Sequence, residues 1–216
     1  VLLTPRLAPK YPPGHALLLV PGVWLGWPGL VPVLLHGLAA ALLFSLARRL
    51  AGPWVALLAW LLWLSAPLLN LWRTTYLSQS TSTAVWMLSA WLLLRWWEKG
   101  RPRDLVAIAV LVAWMGITRP LTAVAFAIPI AVLVLVETRR RRAWGAFAAA
   151  AASGLLVLAL LPVWAAASTG EWANLPYTHW SRVYSPCQKL GFVADPTPPN
   201  LSEEELRLLI QWIDAE

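Results

Sequence analysis

From Asp104 to Glu137 the chain is a long apolar run whose only charged side chain is Arg119, set in the tetrapeptide Ile117-Thr118-Arg119-Pro120. As one straight helix this run would reach ~50 Å, against a bilayer hydrocarbon core of ~30 Å. It is therefore expected to fold as two short spans meeting at Arg119-Pro120. Proline removes an amide donor and pushes the residues before it away from helical backbone angles. An arginine near membrane depth costs ~2.5 to 3.5 kcal/mol on insertion scales, which makes it a functional candidate by default.

The same pattern repeats along the chain. Hydrophobic residues make up 59% and charged residues 12% of the sequence, well below the quarter or so of charged residues typical of soluble domains. The expected fold class is an all-α polytopic membrane protein. It has about six transmembrane helices, an interfacial or re-entrant helix, and an extracytoplasmic C-terminal segment. The net charge of +7 does not suggest nucleic acid, because the basic residues stand in short clusters between apolar runs. Cys187 is the single cysteine, so neither an internal disulfide nor a thiolate cluster is available. With Val1 as first residue and no signal-peptide pattern, the chain is expected to be a piece of a longer protein.

Residues 1–28 read as an extracytoplasmic loop followed by an interfacial helix. Prolines at 5, 9, 12 and 13 bar helix up to Gly14, and Pro21-Gly22 is expected to break the short apolar segment that follows. A transmembrane domain over 29–167 should hold spans near 29–47, 54–69, 77–97, 104–118, 120–137 and 144–167, with Arg48 and Arg49 in a hairpin between the first two. The third begins Ser78-Gln79-Ser80-Thr81-Ser82-Thr83, too many hydrogen-bonding side chains for all to face lipid. Residues 168–216 form a polar, proline-rich tail. Its last part, 202–214, reads as a short amphipathic helix, with a capping box at Ser202 and Glu205 and apolar residues at Leu206, Leu209, Ile210 and Ile213.

Basic residues concentrate in short cytoplasmic loops. Alternating the six spans places Arg48, Arg49, Arg95, Lys99, Arg101, Arg103 and Arg139 to Arg142 on one side, and Arg6, Lys10, Arg73 and Arg119 on the other. The break at Arg119, the first loop and the tail are thus expected on the outer face. Trp24, Trp27, Trp54, Trp72, Trp96, Trp97, Trp144, Trp164 and Trp172 fall near span ends, as an interfacial belt requires.

There is no glycine-rich phosphate loop, no nucleophile elbow and no metal-spaced cluster, His15, His36 and His179 being far apart. The candidate site is a constellation expected on the outer face. Tyr11 and His15 lie in the first loop, Arg73 in the second, Gln79 at a span mouth and Arg119 at the break. Tyr177, His179, Arg182 and Tyr184 lie in the tail. Two arginines at an outer surface suit a bidentate grip on a phosphate or pyrophosphate, so Arg119 and Arg73 are the expected phosphate ligands, with the others grouped around them. His36, inside a span, is expected to pack with a hydrogen bond. No internal repeat of the kind common in transporters is present.

Three features together resemble bacterial membrane glycosyltransferases of the GT-C type, the group that includes protein mannosyltransferases and the aminoarabinose transferase of lipid A. They are Tyr11-Pro12-Pro13-Gly14 before a short apolar segment, the Thr118-Arg119-Pro120 break, and a loop of the form Pro176-Tyr177 … Tyr184 … Gly191-Phe192. The resemblance spans roughly residues 8 to 193. It implies transfer of a sugar from a polyprenyl-phosphate carrier to a cell-envelope acceptor, lipid, glycan or protein, on the outer side of the bacterial cytoplasmic membrane. It also implies a catalytic aspartate in a loop after a first transmembrane helix, and neither is in this sequence. Glu98, Asp104 and Glu137, the carboxylates before Glu171, all belong to the side expected to be cytoplasmic. The base is then expected upstream of Val1, with Glu171 as the weaker candidate, and the chain alone is expected to be inactive. Relatives often carry an acidic residue where this chain has Gln79, which argues against a metal at that mouth. No cofactor is expected, while a divalent metal stays open. The expected partners are the polyprenyl-phosphate sugar, membrane lipids and the envelope acceptor. A transporter or flippase subunit, or a non-catalytic membrane scaffold, is the alternative.

Overall fold

Apolar runs that must satisfy every backbone group internally can only become helices or a closed barrel. The computed structural model describes residues 11–68, 71, 75–175 and 207, and among these residues there is helix and no strand. Residues 11–164 form one compact unit, and the described residues from 165 onward belong to a second. The helices are α1 (Gly14–Trp24), α2 (Leu30–Ala51), α3 (Pro53–Ser65), α4 (Gln79–Lys99), α5 (Pro102–Gly116), α6 (Pro120–Arg141), α7 (Trp144–Leu158) and α8 (Leu160–Thr169). Three stretches are long and apolar enough to cross a membrane: Leu30–Ala51, Pro120–Arg141 and Trp144–Thr169, the last interrupted at Ala159. The helix expected over 202–214 lies outside the described residues except for Arg207.

Local chemistry explains most boundaries. Pro53, Pro102 and Pro120 each open a helix, where the missing amide costs nothing. Gly100, with φ 61°, closes α4 in the left-handed region that a glycine enters without strain. Two expectations need correction. Pro21-Gly22 does not break the first helix, which runs on to Trp24 with Pro21 inside it. Its stop is Gly26, at φ 71°, where the amide of Gly26 bonds Val23 and that of Trp27 bonds Gly22. That pairing satisfies the last carbonyls as a Schellman motif does. Nor do Arg48 and Arg49 lie in a hairpin. They form the last turn of α2, where their charge suits the helix dipole, and Gly52 at φ 89° takes the whole turn into α3.

In the 11–164 unit α2 packs between α3 and α4, and α4 lies against α5. In turn α5 carries α6 and α7 on its other sides, with α7 the most extensive contact. The main core joins Leu92 and Trp96 of α4, Leu105 and Ile108 of α5, Phe126, Ile130 and Val134 of α6, and Ala150 of α7. Close approach of α7 to α5 depends on Gly154, where an added methyl would sit 3.3 Å from the Ala109 carbonyl oxygen.

One end of this bundle is ionic. Asp104 and Glu137 are each only 1% exposed, and a buried carboxylate left unpaired would cost several kcal/mol. Neither is unpaired. Arg95 donates two bonds to Asp104, while Arg140 and Arg141 both donate to Glu137. Arg141 also donates to the Trp97 carbonyl across the helix pair, capping α4 from α6. Arg49 pairs with Glu98 at 3.5 Å, and the guanidinium groups of Arg49 and Arg95 both lie over the Trp91 ring. All three acidic residues of this unit therefore sit with basic partners at the same end. His36, 3% exposed within α2, uses Nδ1–H to donate to the Pro32 carbonyl at 3.1 Å.

Gly154→Val should wedge α7 away from α5 and destabilise the protein by about 1 to 3 kcal/mol, read as a fall in the midpoint of thermal unfolding in detergent. Gly37→Ala, in α2 with nothing within 4 Å of the added methyl, should hold or raise that midpoint.

Candidate functional site

The end of the unit opposite the ion pairs is built around the α5–α6 break. Ile117 follows α5 at φ −82°, ψ 1°, and Arg119 turns to φ −143°, ψ 85°, an extended conformation imposed by Pro120. A helix end leaves carbonyls without partners, and here they are found one by one. The Met115 carbonyl accepts from the amides of Thr118 and Arg119. The Trp114 carbonyl accepts the Thr118 hydroxyl at 2.8 Å. The Ile117 carbonyl accepts from the amide of Gly14, at the start of α1, at 2.8 Å.

That last bond joins two segments a hundred residues apart in roughly their closest possible contact. A methyl on Gly14 would fall onto the Thr118 hydroxyl and lie 2.7 Å from the Ile117 carbonyl oxygen. Glycine is required here by proximity, since its φ is not in the left-handed region. The neighbouring His15 is buried, and both ring nitrogens are engaged. Nε2 lies 2.7 Å from the Tyr76 carbonyl oxygen and Nδ1 lies 2.8 Å from Thr81 Oγ1. A carbonyl only accepts, so the proton is on Nε2, and in the neutral ring Nδ1 accepts from the Thr81 hydroxyl. Burial pushes the His15 pKa below its ordinary value of 6.5, against the opposing effect of the bond to Tyr76.

The polar mouth of α4 is divided between its own backbone and its neighbours. Ser80, Thr81 and Ser82 are buried. Ser80, Ser82 and Thr83 bond back to the carbonyls of Leu77, Ser78 and Gln79, a local satisfaction usual for hydroxyls in helices. Thr81 instead reaches out to His15. Gln79 is half-buried, and its Oε1 is buried with no hydrogen-bond partner among the described residues, an acceptor left unsatisfied.

Several residues expected to form a site are therefore brought together. His15 and the mouth of α4 are in direct contact, and the first turn of α1 joins them to the break that ends at Arg119. Arg119 is half-buried and makes no ion pair among the described residues. Tyr11 is exposed at the entry to α1. Glu171 is exposed in the second unit, its amide bonded to Thr169 Oγ1 at 3.3 Å. Arg73, Tyr177, His179, Arg182 and Tyr184 lie outside the described residues. No group of three or more His, Cys, Asp or Glu is placed to hold a metal among the described residues. Sequence reasoning missed Thr81 as a particular residue, because nothing in a run of six polar side chains says which hydroxyl leaves its own helix.

An apolar groove of about 590 Å³ starts beside the break. Gly116 and Pro120 line one end, Val112, Ala127 and Gly154 the middle, and Leu105, Val134 and Phe147 the other end. Along α6 the stretch from Pro120 to Val134 covers ~21 Å.

Gly14→Ala should cost about 1 to 3 kcal/mol, because the methyl meets backbone that cannot turn aside; thermal unfolding checks it. The pH dependence at His15 has a definite sign. With its folded pKa lowered, the contribution of the neutral ring is fully present above 6.5 and is lost as pH falls from 6.5 towards the folded value. Unfolding midpoints should therefore drop on acidification below about 6.5, and the drop should flatten in His15→Asn.

No curated protein and no solved structure matches this chain. Residues 15–165 match the family described as dolichyl-phosphate-mannose-protein mannosyltransferase. The match runs from His15 in the first turn of α1 through the break and takes in every helix between them. Glycosyltransfer from a polyprenyl-phosphate sugar is what membership of that family implies in general. The chain belongs to the dolichyl-phosphate-mannose-protein mannosyltransferase family.

Proposed function

We propose that this protein takes part in transfer of a sugar from a polyprenyl-phosphate carrier to a cell-envelope acceptor on the outer face of the bacterial cytoplasmic membrane. The carrier phosphate is held by Arg119, with Arg73 as a second ligand, and its chain lies in the groove between α5, α6 and α7. The observation that carries this reading is the junction of a cation with an apolar trough. Arg119, without an ion pair among the described residues, immediately precedes Pro120, which lines the end of the groove. A phosphate on a long hydrocarbon chain has this same division into anion and apolar tail.

The depth of the break agrees with the assignment. From Asp104, at the ionic end, to Arg119 the rise is ~22 Å, less than a ~30 Å hydrocarbon core. If the ionic end lies at one boundary, Arg119 stands below the opposite one, where a guanidinium needs an anionic partner. In water-poor surroundings a bidentate guanidinium–phosphate pair both anchors the donor and stabilises charge on the phosphate as it leaves. Gln79, with its unsatisfied acceptor, is proposed to bond a sugar hydroxyl, and Tyr11, exposed at the entry to α1, to line the same donor pocket. His15 supports the site by its two internal bonds. Tyr177, His179, Arg182 and Tyr184 of the tail remain the proposed acceptor side.

Arginine cannot act as the base that deprotonates the acceptor. Within 11–164 the carboxylates are at the other end, so the base is a carboxylate outside this unit. Glu171 is the candidate that this chain itself supplies. The family assignment favours transfer over the transporter and scaffold alternatives.

Arg119→Ala should weaken binding of a polyprenyl phosphate at least about tenfold, the scale of one charge-assisted bond, with Arg119→Lys intermediate because an ammonium cannot grip in a bidentate manner. Titration of the protein in lipid nanodiscs reads this directly, and unchanged affinity in Arg119→Ala removes the assigned role. Ala127→Trp, which fills the middle of the groove, should weaken the same binding without altering binding of a short-chain isoprenyl phosphate.

A further inference from the structure

We propose that Thr81, through His15, is a positioning residue for Arg119, and that the first turn of α1 is a clamp fixing the α5–α6 break against the mouth of α4. The inference rests on the reading of Arg119 as the phosphate-holding residue. It assigns roles to Thr81, Gly14 and the Tyr76 carbonyl, none of which touches the carrier in that reading.

The chain of contacts is continuous. Thr81, fully buried, donates to His15 Nδ1 at 2.8 Å, and His15 Nε2–H donates to the Tyr76 carbonyl at 2.7 Å. The imidazole is thus held at both nitrogens by α4 and the residues just before it. One peptide earlier, the Gly14 amide donates to the Ile117 carbonyl at 2.8 Å. Gly14 also sits so close to Ile117 and Thr118 that the break cannot move towards α1. Two residues later comes Arg119, with its backbone amide bonded to Met115 at 2.7 Å and its carbonyl accepting from Ala123 at 2.9 Å. Its Cα is held from both sides, and α1 ties it to the mouth of α4 in addition to the direct packing of Val85 of α4 with Met115 and Ala123.

A neighbouring hydroxyl could not substitute for Thr81. Ser80, Ser82 and Thr83 are already committed to carbonyls one turn back. Without the Thr81 hydroxyl, His15 Nδ1 is a buried acceptor with no donor, and the ring loses the contact that sets its orientation. Gly14, one residue away, then tethers the break to a loosened helix end. Sites that bind by matched geometry lose affinity steeply on small displacements of this kind.

The test uses the full chain in lipid nanodiscs, with undecaprenyl phosphate as probe and two readouts: affinity, and amide hydrogen exchange over 117–123. Thr81→Val should speed exchange there and weaken binding about tenfold, and Thr81→Ser, which keeps the hydroxyl, should restore both. If Thr81→Val fails to fold, Thr81→Ala removes the hydroxyl without new bulk and carries the same comparison. Unchanged exchange in the hydroxyl-free variant overturns the clamp, and faster exchange with unchanged affinity overturns the positioning role. Arg119→Ala separates the two ideas. Intact binding in that variant, with Thr81→Val still loosening the break, means the phosphate reading has failed and the clamp stands. Weakened binding there, with no loosening in Thr81→Val, means the reverse.

Discussion

A helix that stops in apolar surroundings leaves carbonyls that only protein can satisfy, and the stop at Ile117 is the point on which the rest of this structure depends. The chain needs the stop because Pro120 and Arg119 cannot continue α5. It can keep the stop because Gly14, about a hundred residues earlier in the sequence, bonds the buried Ile117 carbonyl. Any larger residue at 14 would hold α1 away and leave the Ile117 carbonyl without that donor. Closing a backbone defect thus brings together the three segments that carry the candidate site.

The two ends of the 11–164 unit follow opposite electrostatic rules. At one end each acidic side chain is matched by arginine; ion pairs link α2 to α4 and α4 to α5, and the bond from Arg141 to the Trp97 carbonyl links α6 to α4. Charge is neutralised there, and the effect is to tie helix ends together. At the other end Arg119 stands without an ion pair among the described residues, and the carboxylates of this unit all lie at the opposite end. An end that kept a carboxylate beside Arg119 would neutralise it and oppose an anionic ligand.

Tight and loose packing are similarly divided. Small residues let α5 and α7 approach closely at Gly154, while alanines at 123, 127 and 131 of α6 leave the groove unfilled. A bulky residue in either place would change the outcome in opposite ways, forcing helices apart in the first and filling the groove in the second. The bulk that fills the core is instead concentrated in Trp96, Leu105, Ile108 and Phe126.

By itself the sequence determined that the chain is helical and membrane-like, because its apolar runs are of helix-spanning length, where the backbone can satisfy itself within each segment. It also determined the break at Arg119, since proline lacks the amide a helix needs, and that part of the 78–83 face turns away from lipid, as Ser80, Thr81 and Ser82 do. It misread two local boundaries. Pro21 is tolerated inside α1 because the stop lies at Gly26, and α2 runs through Arg48 and Arg49 because Gly52 alone can make the turn. Only the tertiary structure decided which residues meet. That Gly14 rather than another glycine closes on Ile117, and that Thr81 rather than Ser80 or Ser82 reaches His15, depends on helix rotation and crossing. These are set by packing of side chains far apart in sequence and carry no local signature.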